Sequence, residues 1–171
     1  MVSGEPATDA PVYWTSVESP IGPLLLAGDR HTLRVLWFGH GRKAQGPRAE
    51  WVESAAEFRG VAQQLCEYFA GTRRRFDLAL APQGTTFQQT VWRALQDIPY
   101  GETTSYGELA RRIGDVKATR AVGLANGANP LAIVIPCHRV IGASGALTGF
   151  GGGLPTKRAL LDLERGQRTL L

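Results

Sequence analysis

The sequence predicts an α+β protein: a small N-terminal β-sheet domain with a helix, followed by a mainly helical C-terminal domain containing a helix-turn-helix. Three observations carry that expectation. Short β-forming runs occupy the first forty residues, helical spacings with explicit capping signals fill the second half, and a Pro/Gly boundary at Ala81 to Gly84 falls where the charge balance changes. Residues 1–83 hold 9 Lys/Arg against 9 Asp/Glu, whereas residues 84–171 hold 10 against 6, so the whole net charge of +4 is C-terminal. The expected organisation is a flexible tail over 1–11, an α/β domain over 12–83 and a second domain over 84–171.

After the tail, Tyr13 to Ser19 and Pro23 to Ala27 read as strands around a Ser-Pro-Ile-Gly turn, and Leu33 to Phe38 gives a third, rich in β-formers. Gly39 to Pro47 reads as a loop. Trp51 to Phe69 carries Phe58, Val61, Ala62, Leu65 and Phe69 at helical spacing, with Gly71 as its stop. Cys66, on that helix, is expected to be a small core hydrophobe, since nothing near it in sequence would activate a thiol. Phe76 to Leu80 reads as one further strand.

In the second half, Thr86 to Gln89 and Ser105 to Glu108 both match the capping box, in which two side chains satisfy free backbone amides. The first helix would bury Phe87, Val91, Leu95 and Ile98 and end at Pro99-Tyr100-Gly101. The second would bury Tyr106, Leu109, Ala110 and Ile113 and end at Gly114. Lys117 to Ala128 follows, with Ala118, Ala121, Val122 and Ala125 on one face, so 105–128 has the form of a helix-turn-helix. A last helix runs from Thr156 to Arg165.

Composition excludes several classes. The chain of 171 residues is 43% hydrophobic, as for an ordinary globular protein. Its longest apolar runs, Leu24 to Ala27 and Leu131 to Ile135, fall far short of the roughly 20 residues a bilayer span needs. The start lacks a basic and an apolar signal region, which places the chain in the cytoplasm. Two cysteines without a CxxC or a Cys/His cluster argue against a disulfide framework and against zinc.

Two features point to chemistry. Opposite the alanine and valine face of the third helix lies a stripe of Arg120, Gly123, Leu124 and Gly127. Two glycines inside a helix lose about 2 kcal/mol relative to alanine, so close approach of a partner backbone is expected there, and the arginine beside them favours a nucleic acid. The second feature is Pro136-Cys137-His138-Arg139-Val140, a thiol next to an imidazole and a guanidinium, groups that raise the thiolate fraction needed for nucleophilic work.

These segments occur in a telling order. Ser105-Tyr106, Arg120-Ala121-Val122-Gly123, Asn129-Pro130, Ile135-Pro136-Cys137-His138-Arg139-Val140 and the Gly149 to Gly153 loop together resemble the O6-alkylguanine-DNA alkyltransferases. The resemblance spans essentially all of 84–171, and Ser19-Pro20-Ile21-Gly22-Pro23 with its small sheet is similar to the same family. It implies a monomer that needs no cofactor and no metal and takes an alkyl group from O6-alkylguanine onto Cys137, once per molecule. It also implies that double-stranded DNA is bound through the minor groove, with clustering of copies on DNA left open. By the same resemblance, damaged DNA would be held by Ser105, Arg120, Gly123, Leu124 and Gly127, with Arg120 filling the stack after the nucleotide is flipped.

Carried over by position, His138 takes the thiol proton through a water, Glu164 orients that histidine, Asn129 braces the turn, and Tyr106 assists departure of guanine. The pocket is formed by Val140, Phe150, Gly151 and Gly152, and the carbonyls of Cys137 and Val140 accept from the exocyclic amine. Arg139 is expected to bind backbone carbonyls. Where some members carry Tyr-Ser, this chain has Phe150-Gly151, which keeps an aromatic wall and loses two hydroxyls. The rival readings are a non-catalytic lesion-binding protein that marks damage for other enzymes, a helix-turn-helix transcription factor and a Cys-His-Glu hydrolase. Cys137 argues against the first, the absence of a dimerising segment against the second, and the smooth stripe against the third.

Overall fold

A computed structural model describes residues 10–41 and 43–166, so almost all of the expected tail lies outside the described residues. Four strands form the N-terminal sheet in the order β3-β2-β1-β4: β1 (Tyr13–Val17), β2 (Leu24–Gly28), β3 (Leu33–Phe38) and β4 (Val52–Glu53). β2 is central and buried along its whole length, which suits its run of leucines. It pairs antiparallel with both neighbours, and the Ser19-to-Gly22 turn sets the β1–β2 register, Tyr13 opposite Gly28 and Val17 opposite Leu24. β4 adds to β1 in parallel.

Helix α1 (Arg59–Phe69) is shorter than its periodicity suggests. The segment expected to begin it is instead strand β4 and a 3-10 turn, Ala55–Phe58, because Val52 and Ser54 donate their amides to the β1 edge. Leu65 and Tyr68 face the core, and the neighbouring Cys66 is exposed, contrary to expectation, one helical step round from Leu65. Phe76 to Leu80 is not a strand. Only Leu80 bridges to Leu33, while the Gln64 side chain donates to the Asp77 carbonyl and accepts from its amide, closing the backbone off locally.

The C-terminal part comprises α2 (Thr86–Gln96), β5 (Thr104–Ser105), α3 (Tyr106–Arg112), α4 (Thr119–Gly127), β6 (Val140–Ile141) and α5 (Leu154–Glu164), so the predicted α+β architecture holds. The first capping box sits one residue earlier than expected. The Thr85 hydroxyl accepts from the Gln88 backbone amide, and the Gln88 side-chain oxygen accepts in turn from the Thr85 backbone amide. At α3, Ser105 caps the Glu108 amide, and the Glu108 carboxylate turns outward to Arg111 and Arg112 instead of completing a box. α4 buries Val122, Ala125 and Asn126 below Ala118, whereas Ala121 is exposed, so its inner face is rotated from the expected one. Trp92 of α2 fixes α4 by donating its indole N–H to the Ala125 carbonyl at 2.9 Å.

A pair of backbone bonds ties the sheet to the C-terminal part. The Leu36 amide of β3 donates to the Pro130 carbonyl at 2.8 Å, and the Ala132 amide donates back to Leu36 at 3.2 Å. The sheet thereby clamps the segment leading to Cys137, which shares one continuous core with both halves.

Candidate active site and nucleic-acid interface

α3 and α4 present an exposed face bearing Arg120, Leu124 and Gly127, with Gly123 partly covered; Ser105 is half-buried at the start of α3. Leu124 is 73% exposed. A Cβ on Gly123 would lie 3.7 Å from the Tyr106 ring, and one on Gly127 would lie 3.5 Å from Lys43 Nζ, both ordinary contacts. Packing inside the protein therefore does not demand either glycine.

Behind this face the chain runs through a series of tight turns. Ile133 adopts a φ of 71°, a left-handed conformation unusual for a β-branched residue. It is held there by bonds from Val134 N–H to Ala132 O and from Ile135 N–H to Leu131 O. Asn129 locks both ends of the run, accepting from the Leu131 amide at 3.0 Å and donating to the Ile135 carbonyl at 2.8 Å. The run delivers Cys137 onto a 3-10 turn, Cys137–Arg139, with the sulfur in a nearly closed position. Burial pushes the Cys137 thiol up; Asn129, the ammonium of Lys157 and the amides of Cys137 and His138 oppose it.

His138 is fully buried, and its Nε2 lies 2.7 Å from Glu164 Oε1. Its Nδ1 is buried with no hydrogen-bond partner in the protein. Glu164 is a hub. It accepts from the Tyr68 hydroxyl at 2.8 Å and from the Gly101 amide at 3.4 Å, and it holds Arg139 through two nitrogens at 2.8 and 2.9 Å. Burial disfavours the Glu164 carboxylate, but His138 and Arg139 outweigh it and hold the carboxyl well below the usual range. Arg139 binds one backbone carbonyl, that of Ile98, so its expected role is half the picture and its ion pair with Glu164 is the other half.

Two further groups escape sequence reasoning. Lys157 is completely buried, with Nζ 2.6 Å from the Val140 carbonyl and 3.4 Å from that of Thr148; burial lowers its pKa. Its signal was its spacing, since Lys157, Leu160, Leu161 and Glu164 share the inner face of α5. Tyr68 could likewise have been found three residues after Leu65.

A cavity of about 330 Å³ opens onto Cys137, lined also by Asn129, Phe150 and Gly151 and, from the N-terminal part, by Phe38, Lys43 and Gln45. Val140 and Gly152, expected as pocket residues, are not on its lining. Val140 is tied beneath by Lys157, and Gly152 presses on Phe38, where a Cβ would come within 2.9 Å of the ring. Phe150 meets Phe38 edge-on at 5.4 Å. Tyr106 is off the lining too, and its hydroxyl lies 2.6 Å from Thr148 Oγ1 at the start of the pocket loop. The Cys137 carbonyl accepts from the Val140 amide and, at 3.4 Å, from Asn126. Among the described residues no His, Cys, Asp and Glu group could hold a metal, and no helix is long and apolar enough to cross a membrane.

Comparison with known proteins agrees over both halves. Residues 12–82 match the ribonuclease-like domain of 6-O-methylguanine DNA methyltransferase, and residues 86–166 match its DNA-binding domain. A methylated-DNA–protein-cysteine methyltransferase of Methanosarcina acetivorans is 55% identical over 153 residues, covering 90% of this chain and 98% of its own. The protein of that name from Mycobacterium tuberculosis is 53% identical over 156 residues, covering 91% and 94%. The crystal structure of Mycobacterium tuberculosis OGT in complex with DNA superposes with a TM-score of 0.86 at 53% identity, covering 91% of this chain and 94% of that one.

Proposed function

The chain belongs to the 6-O-methylguanine DNA methyltransferase family, and on that premise we propose how its own residues carry out the family's reaction. It is a methylated-DNA–protein-cysteine methyltransferase that binds DNA and repairs it by direct reversal. Duplex DNA lies with its minor groove along the Arg120–Gly127 stripe, and Arg120 occupies the gap left when the O6-alkylated nucleotide rotates out. Such rotation is required, because a stacked guanine offers its O6 substituent in the opposite groove, away from the cavity that holds Cys137.

Within the cavity, Cys137 gives its proton through a water to His138 Nδ1, the nitrogen left without a protein partner, while Glu164 fixes the ring through Nε2 and stabilises the imidazolium that results. The thiolate attacks the alkyl carbon in line. A sulfur–carbon bond forms as the carbon–O6 bond breaks, the bonding pair stays on O6, and the departing guanine takes a proton from the Tyr106 hydroxyl as that group leaves Thr148, the proton held on His138 making good the loss through solvent. Phe150 walls the ring. The thioether product has no hydrolysable bond, so each chain acts once. The setting is the cytoplasm, and the acting species is a monomer.

The observation that carries this reading is the junction of a buried thiol, a buried His–Glu pair and a cavity beside an exposed helix stripe. It is tested by mixing the protein with excess duplex that contains O6-methylguanine and counting methyl groups transferred per chain. Wild type is expected to stop at one and Cys137→Ser to transfer none; continued turnover, or a methylated Cys137→Ser, would contradict the reading.

A further inference from the structure

We propose that the N-terminal domain supplies a DNA phosphate contact through Lys43, at the mouth of the alkyl-accepting cavity. The inference rests on the repair reading above and extends it to a residue outside the helix-turn-helix. Lys43 belongs to the loop that follows β3, yet its Nζ donates to the Gly127 carbonyl at 2.9 Å, joining residues 84 apart. Its stem lies along the pocket loop, where a Cβ on Gly151 would meet Lys43 Cδ at 3.7 Å. Lys43 also lines the cavity that contains Cys137. One side chain thus touches the end of the DNA-facing helix, the pocket loop and the entrance between them.

The electrostatics give this placement a purpose. α4 ends at Gly127, which lines the cavity, and so places the partial negative charge of a helix C-terminus where a flipped nucleotide must pass. When the base enters the cavity, its flanking phosphodiesters remain at the mouth, and a bare helix end would repel them. Among the described residues no carboxylate pairs with Lys43, so its charge is not neutralised. An ammonium has three donors; one serves Gly127, and two remain for phosphate oxygens. Lys43 therefore sets a positive charge at the entrance, over the helix end.

The test is affinity for a duplex bearing one O6-methylguanine, measured by fluorescence anisotropy across a salt series for wild type, Lys43→Met and Lys43→Arg. To keep the lesion intact, each chain also carries Cys137→Ser. One lost phosphate contact lowers the slope of log affinity against log salt by about 0.9, so the advantage of the lysine chain over Lys43→Met should shrink about 3.5-fold between 50 and 200 mM salt. Lys43→Arg should retain the slope. An unchanged slope in Lys43→Met, or a loss of affinity that is the same at every salt concentration, would overturn the proposal and leave Lys43 as a plain helix cap. Methyl uptake by the Cys137-containing protein is measured in parallel: failure there would sink the repair reading, whereas normal uptake with an unchanged slope would sink the phosphate contact alone.

Discussion

Replacing Glu164 with glutamine keeps the side chain's shape and removes the one negative charge set between His138 and Arg139. Arg139 is nearly buried and stacks near Tyr100, so no solvent takes over its pairing. Removing one member of a buried ion pair costs about 3–5 kcal/mol, and an amide has a single acceptor oxygen for a site where four groups converge. At roughly 2–4 °C per kcal/mol for a chain of this length, Glu164→Gln should lower the melting temperature by about 6–20 °C. Methyl transfer should slow by about 100-fold or more, within the range attributed to positioned proton transfer. Calorimetry and quenched-flow transfer assays check the two quantities. Adding Arg139→Met should return at least about 1 kcal/mol relative to the sum of the single losses. The wild type also carries a pH signature. Its Glu164 carboxyl sits well below the ordinary 4.5, so the stabilisation it gives is complete above about pH 4.5 and is lost as pH falls from there through the folded-state value. A Glu164→Gln protein that melts within about 1 kcal/mol of wild type, or that keeps the same acid sensitivity, would refute this reasoning.

Other residues yield sharper local outcomes. Lys157→Met removes a positive charge that favours the thiolate, so the pH midpoint for alkylation of Cys137 by iodoacetamide should move upward; an unmoved midpoint would show that Lys157 acts only on the loop carbonyls. Asn129→Ala strands the Leu131 amide and removes one of the two bonds to the Ile135 carbonyl, which keeps that from the Cys137 amide, and urea unfolding should register a loss of about 1–3 kcal/mol. Arg120→Ala should slow transfer from duplex by about tenfold while leaving a lesion in a single-stranded oligonucleotide close to wild-type rate, since that base needs no extrusion. Equal slowing on both substrates would deny Arg120 a role in the stack.

Much of the fold is written in local periodicity. The strand Leu33–Phe38 and the helix-turn-helix can be read because their patterns are set by nearest neighbours and caps. Sequence and structure part where distant partners decide. Val52 and Glu53 sit in a stretch of helical pattern, and only the free edge of β1 draws them into the sheet. Phe76 to Leu80 has strand composition, but Gln64, on a helix 13 residues earlier, takes both backbone groups of Asp77. The site divides in the same way. Cys137 and His138 are adjacent and chemically conspicuous, whereas a buried lysine looks like any surface lysine until α5 is rotated onto the core. Lys43 lies in a loop without pattern, and its meeting with Gly127 exists only in the folded chain.

The most direct test of the central claim is peptide mapping by mass spectrometry after reaction with duplex DNA containing O6-methylguanine. A single methyl is expected on the peptide containing Cys137 and none on that containing Cys66, the exposed cysteine that any indiscriminate alkylating agent would reach first. A methyl on Cys66, or an unmodified Cys137 beside repaired DNA, would contradict that claim.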